Sequence, residues 1–194
     1  MIIKDLNELS KQIYEANKAK GFHEEKHSFE HMACLVISEL MEAVEADRKG
    51  RIADLDGFNK AMEHDSRYPE GLDESFEFNF KNHIKDTVED ELCDAVIRLL
   101  DTAGALGINI DHSFVERHVA SAKSKDVKGR LLTENIYFAC GAILESDNKP
   151  SVSINNTLVC LIILCETLNI DLWKHVELKL KYNSLRPYKH GKAY

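Results

Sequence analysis

The chain has 194 residues, with 25 Lys and Arg against 33 Asp and Glu for a formal net charge of −8, and 44 % of it is hydrophobic. That length suits one domain, or at most two small ones, and that apolar share allows a sizeable core and argues against an intrinsically disordered chain. The acidic balance excludes broad electrostatic binding to a nucleic acid polymer, whereas a small anionic substrate stays open, because a bound cation reverses the sign of an acidic pocket.

Prolines occur only at Pro69, Pro150 and Pro187, so long stretches between them are free to be helical. Apolar residues recur at helical spacing through most of the chain. The pattern predicts a first helix near 4–20, stopped by Gly21, and a second near 28–48, with Ser28 as N-cap and Gly50 as its stop. Residues 51–82 carry Gly57, Pro69, Gly71 and the alternation Phe76-Glu77-Phe78-Asn79-Phe80; they read as a long insertion with a strand-like piece. A third helix near 84–106 stops at Gly107, and Asp111 caps a fourth near 112–124. A fifth is expected over 130–146, a sixth over 152–168 after Pro150, and a seventh over 172–184 capped by Asp171. The tail from Leu185 is polar and broken. The expected fold is a single all-α helical bundle over 1–194, with an insertion between its second and third helices. Leu106-Gly107-Ile108-Asn109-Ile110-Asp111 is echoed by Leu168-Asn169-Ile170-Asp171, through shared turn chemistry or an old duplication.

Cys34, Cys93, Cys140, Cys160 and Cys165 form no CxxC pair, and each lies in an apolar, helix-like run. That predicts reduced core thiols and a reducing, cytoplasmic setting. Met1-Ile2-Ile3-Lys4-Asp5 lacks the form of a signal peptide. The longest apolar candidate, Thr157 to Cys165, falls well short of the roughly 20 residues that span a bilayer, so no membrane partner is expected.

Two segments carry the chemistry. Ser38-Glu39-Leu40-Met41-Glu42 and Glu91-Leu92-Cys93-Asp94 each hold an acid-x-x-acid spacing. On a helix such residues share a face with their Cβ atoms about 5–6 Å apart. Two such helices packed together would gather Glu39, Glu42, Glu91 and Asp94 into an all-oxygen site for Mg²⁺, with Mn²⁺ as the alternative. Glu91, Asp94, Arg98 and Asp101 form one polar stripe, in which a buried Arg98 would pair with Asp94 or Asp101 in structural support of the acids.

Four stretches together resemble the MazG-like, all-α nucleoside triphosphate pyrophosphohydrolases. They are Lys20-Gly21-Phe22; Ser38-Glu39-Leu40-x-Glu42-Ala43-x-Glu45-Ala46-x-Arg48-Lys49-Gly50; Glu91-Leu92-x-Asp94-Ala95-Val96-Ile97-Arg98-x-Leu100-Asp101; and Lys181-Tyr182-Asn183-x-x-Arg186-Pro187-Tyr188-Lys189-His190-Gly191-Lys192. The resemblance implies that Glu39, Glu42, Glu91 and Asp94 bind Mg²⁺, and that Lys181, Asn183 and Arg186, with Lys20, approach a nucleoside triphosphate. It implies water attack at the α-phosphorus with release of pyrophosphate, with Glu42 as the assigned proton acceptor, and assembly as dimers or tetramers. A duplicated chain would imitate a dimer by itself. The chain departs from the family pattern in the 51–82 insertion and in the 25–30 residues between Ser124 and Ser151.

Rival readings are weaker. His23-Glu24-Glu25-Lys26-His27 fits the HExxH zinc-peptidase pattern but lacks apolar flanks. A di-iron bundle needs two Glu-x-x-His motifs, and only Glu24 to His27 supplies one. A non-catalytic helical binding module would be expected to lose one of the four skeleton acids, and all four are present.

Overall fold

The computed structural model describes residues 5–67, 70–122, 129–145 and 149–191. Residues 1–4, Pro69, Ser124 and Lys192, with the expected helix ends at 4, 124 and 146, lie outside that set. The described residues are all-α: nine α-helices and a closing 3₁₀ turn, with no strand among them.

Side-chain caps set most helix starts. Asp5 accepts from the amides of Asn7 and Glu8, both at 3.1 Å, to open α1 (Leu6–Ala19). Ser28 Oγ accepts from the amide of His31 at 3.2 Å at the head of α2 (Phe29–Arg48). Thr87 does the same for α5 (Val88–Leu106), accepting from Asp90 at 3.3 Å, so this helix begins four residues later than expected. Asp111 and Asp171 cap α6 (His112–Ala122) and α9 (Leu172–Leu185). Pro150 opens α8 (Pro150–Thr167), where its missing N–H costs nothing, and α7 (Leu132–Leu144) precedes it.

The insertion differs from expectation. Residues 51–82 contain two helices, α3 (Leu55–Asp65) and α4 (Leu72–His83), and no strand-like piece. The Phe76-to-Phe80 stretch is helical because its burial follows spacing four: Phe76 and Phe80 are buried, while Phe78 is 67 % exposed. Phe58, Phe76, Phe80 and Ile84 join Leu178 and Tyr182 of α9 in a separate small core.

The main core lies between α1, α2, α5, α7 and α8, with Val115 and Val119 of α6 and Leu172, Trp173 and Val176 of α9 joining it. Val36, Leu40 and Ala43 on α2 meet Leu92, Val96, Leu99 and Leu100 on α5, all with no exposed surface. Each large apolar side chain so buried contributes about 1.5–3 kcal/mol relative to exposure. α1 packs tightly on α5 at Gly104, where a Cβ would lie 2.6 Å from that of Tyr14. α7 packs on α8 and α2, and α5 on α8, closing a four-helix bundle within one chain.

α8 reaches 18 residues at a mean hydropathy of 1.3, long and apolar enough by length and composition to cross a membrane, which the sequence patterning did not anticipate. It is 56 % buried, and Ser153, Asn155 and Thr157 lie among its buried residues, as in a core helix. The echoed corners share their turn. Gly107 (φ 63°) and Asn169 (φ 59°) are both left-handed, and the next residue of each donates back into the preceding helix, at 2.9 and 2.8 Å. The thiols are free, as expected, but only Cys93 and Cys165 are buried; Cys140 and Cys160 are half-buried and Cys34 is exposed.

Candidate metal centre and its cleft

The packing of α2 against α5 brings three of the four skeleton acids together. Donor oxygens of Glu39, Glu91 and Asp94 all lie within 4.8 Å of one another. Glu39 and Glu91 are buried, and Asp94 is half-buried. Glu42, one turn along α2 from Glu39, points to solvent and stays outside the triad, although its charge reaches Glu39.

Burial makes this arrangement electrostatically costly. The Glu91 carboxyl is pushed up to about 9, first by desolvation and then by Asp90 and Asp94. Glu39 is raised as well, chiefly by desolvation and then by Asp94. Two cations offset part of the repulsion. Arg98 donates its Nε to Oε1 of Glu39, across the interface of α5 and α2. The expected partners of Arg98 were Asp94 and Asp101 on its own helix; cross-helix packing gives it Glu39 instead. Asp101 pairs with Nε2 of His23, at 2.9 and 3.1 Å to its two oxygens. The second cation is Lys179 on α9, whose Nζ lies 2.8 Å from both oxygens of Asp90 and 2.8 Å from Oδ2 of Asp94.

The triad adjoins an open cleft between α2, α5 and the segment after α1. Glu39 and Asp94 line its acid end, with Arg98 and Asp101. Phe22, Met32, Leu35 and Ile97 give it an apolar wall, and His23, His27 and His31 give it a polarizable one. His27 and His31 stack at 4.4 Å between ring centroids. The segment from His23 to His27 is turn and loop, not helix, so HExxH is not presented as a zinc-peptidase helix would present it.

The tail residues divide. Asn183 and Arg186 line the cleft, and Oδ1 of Asn183 is buried with no hydrogen-bond partner among the described residues. Lys20 lies outside the lining: its Nζ donates to the carbonyls of Ser184 (2.8 Å) and Arg186 (2.6 Å), which fixes the end of α9. Lys181 is also outside it, 4.2 Å over the ring of Phe76 and 3.9 Å from Asp73. Lys179, absent from the residues expected from sequence, is the lysine that reaches the acids. Its signal was helical phase. Lys179 and Asn183 stand four apart on one face of α9, with Arg186 three further on at its C-cap, whereas Lys181 points elsewhere.

The donor set suits a hard divalent cation. All three acids are carboxylates, which favour Mg²⁺ or Mn²⁺ over a softer ion, and a divalent charge would offset the burial and the like charges that raise Glu91. No family model, curated protein or solved structure matches the chain.

Proposed function

We propose that this protein is a Mg²⁺-dependent nucleoside triphosphate pyrophosphohydrolase, a MazG-like all-α enzyme that yields a monophosphate and pyrophosphate. The observation that carries the reading is the triad Glu39, Glu91 and Asp94, beside a cleft that also holds Arg186 and Asn183. An acidic triad beside a cation-bearing cleft is what a metal-bridged polyphosphate requires.

Glu39, Glu91 and Asp94 would hold the ion, and Glu42, the fourth acid of the resembling pattern, stands one turn along α2 from Glu39. When bound, Mg²⁺ neutralises phosphate charge and acidifies the attacking water. Arg98 orients Glu39, and Lys179 orients Asp94. Arg186 supplies charge to phosphate oxygens beyond the metal's reach. The orphaned Oδ1 of Asn183 accepts from a sugar hydroxyl or a base N–H. The apolar and imidazole walls receive the base by stacking. Glu42 is assigned the proton from the attacking water: it is the skeleton acid not engaged in the buried triad, and solvent access lets it release that proton. Free thiols fit a cytoplasmic setting. Assembly as a dimer or tetramer, as in the resembling family, belongs to the same proposal.

The test is product analysis. Phosphorus NMR of the protein with Mg²⁺ and a panel of ribo- and deoxynucleoside triphosphates should show monophosphate and pyrophosphate. Diphosphate with orthophosphate would overturn the proposed bond cleavage. No turnover would overturn the enzyme reading in favour of a nucleotide-binding module.

A further inference from the structure

The acid cluster holds two overlapping triads. Glu39, Glu91 and Asp94 form the first; Asp86, Asp90 and Glu91 form the second, again with donor oxygens within 4.8 Å of one another. Glu91 belongs to both. Acids grouped this way on two neighbouring sites suggest a two-ion centre, in which the metals stand about 3.5–4 Å apart and share a carboxylate.

The second triad already contains a cation. Nζ of Lys179 lies 2.8 Å from each oxygen of Asp90 and 2.8 Å from Oδ2 of Asp94, and so joins the two triads. Only 6 % of the Lys179 side chain and 1 % of the Asp90 side chain are exposed. The ammonium has little room to leave: the ring of Phe80 stands 5.7 Å away, and Leu178 and Tyr182 bury the same stretch of α9. Asp86 has its own counter-charge in Lys85. Among the described residues Lys179 is the cation paired with Asp90, and a buried carboxylate that loses its counter-charge is strongly destabilising. An ion entering the second triad would have to evict Lys179 from Asp90 and bury the ammonium elsewhere. Lys179 also touches the first triad, at Oδ2 of Asp94, but Asp94 is half-buried and Arg98 pairs with Glu39 there, so an ion in the first triad shares Asp94 with the ammonium without taking Lys179 from the fully buried Asp90.

We propose that Lys179 is a resident cation that takes the place of a second divalent ion, so that the centre binds one metal per chain. This rests on the metal reading above and specifies its stoichiometry. It makes Lys179 a positioning residue: it fixes Asp94 for the single ion and keeps Asp90 charged and paired.

The test is a count of bound Mn²⁺ by the loss of the free-ion EPR signal, on metal-free protein without nucleotide. The wild type should bind one ion. Lys179→Gln should bind two, with the line broadening of a coupled pair. Lys179→Gln with Asp90→Asn should return to one, because the second triad has then lost a ligand. Should Lys179→Gln fold poorly without metal, Mn²⁺ should restore its helical circular dichroism and melting temperature, since the second ion replaces the missing charge. Two ions in the wild type would overturn the inference and leave the metal reading standing. So would one ion in a folded Lys179→Gln, or a Lys179→Gln chain that Mn²⁺ fails to restore. No ion in the wild type would overturn the metal reading itself, and the inference with it.

Discussion

Arg98 on α5 donates its Nε to Oε1 of Glu39 on α2, so the guanidinium is shared with an acid across the helix interface and not with an acid of its own stripe. That bond aims a buried carboxylate at Asp94 and Glu91. A lysine could supply the charge but has no Nε at that point, and its ammonium is not a planar fork. Arg98→Lys should therefore weaken apparent Mg²⁺ affinity about 10- to 100-fold, the usual cost of removing an outer-shell partner. Helix content should be unchanged. Mg²⁺ titration of turnover, or of Mn²⁺ binding, checks it; an unchanged titration would mean that Glu39 is positioned by packing alone.

Glu39→Gln and Asp94→Asn each remove a charge from the triad while keeping its volume. Both should abolish Mg²⁺-dependent turnover, and circular dichroism should keep the wild-type helix signal. Glu42→Gln should behave differently, because Glu42 is exposed and outside the triad. It should reduce kcat by about 10²–10⁴, the range of general-base catalysis, with Mn²⁺ binding largely retained. Full loss of ion binding in Glu42→Gln would instead make Glu42 a ligand.

The metal-free protein should lose stability as pH rises. The folded Glu91 carboxyl sits at about 9 against 4.5 for the free side chain, and Glu39 moves the same way. An acid raised on folding contributes stability that is complete below its unfolded value and is lost as pH climbs to its folded value. The window here is therefore about pH 5 to 9. At the low end of this window Asp90, raised to about 6 chiefly by burial, adds to the same trend, and His175, lowered by burial, opposes it; the raised Lys179 acts above the ordinary lysine range, and the lowered carboxyls of Glu24, Glu30 and Asp54 act below the window. Melting temperature without metal should fall across this window, and Mg²⁺ should flatten the decline by favouring the ionised triad. Equal slopes with and without Mg²⁺ would show that the ion does not meet Glu91.

The main helices were legible because capping and hydrophobic period agree. Ser28, Asp111 and Asp171 were readable as caps, and the acid-x-x-acid pairs fell on helices that pack together. The insertion was misread because Phe76, Phe78 and Phe80 alternate like a strand over five residues, too short a window to separate period 2 from 3.6. Only the contact with Leu178 and Tyr182, about a hundred residues away, decides which phenylalanines are buried. Arg98 illustrates the same limit. Its own stripe offers Asp94 and Asp101, and nothing local indicates that Glu39 stands closer. Nor does HExxH foretell that His23 turns to Asp101 and leaves Glu24 to the tail.

That tail is latched by the turn after α1. Oη of Tyr188 donates to Glu24 at 2.5 Å, Nζ of Lys189 lies 3.0 Å from the same carboxylate, and the amide of Lys189 donates to the carbonyl of Lys20 at 2.9 Å. Gly21 makes the contact possible: its φ is 87°, and a Cβ there would overlap the Tyr188 ring. Gly21→Ala should cost about 1–2 kcal/mol from the left-handed backbone alone. It should also push the strap away and displace Arg186, so KM for the nucleotide should rise more than kcat falls. Denaturant melts and steady-state kinetics separate the two effects. A variant that is destabilised but keeps its KM would show that Arg186 is held without the latch.

Phe80 tests whether the insertion is part of the site's scaffold or a tolerated addition. Its ring is fully buried and stacks on Tyr182 at 4.4 Å between centroids, with an interplanar angle of 13°. Tyr182 follows Lys179 by three residues on α9 and precedes Asn183, so this contact fixes the helix that delivers both. Phe80→Ala should destabilise the fold by about 3–5 kcal/mol, the range for emptying a buried aromatic site. It should also loosen the Lys179 contact with Asp90 and Asp94, so Mn²⁺ binding should change before global unfolding begins. Phe78→Ala is the control: the side chain is exposed on the same helix, and its loss should leave stability within about 0.5 kcal/mol. Equal effects from the two substitutions would mean that α4 contributes hydrophobic mass and no positioning, and the insertion would then be separable from the centre.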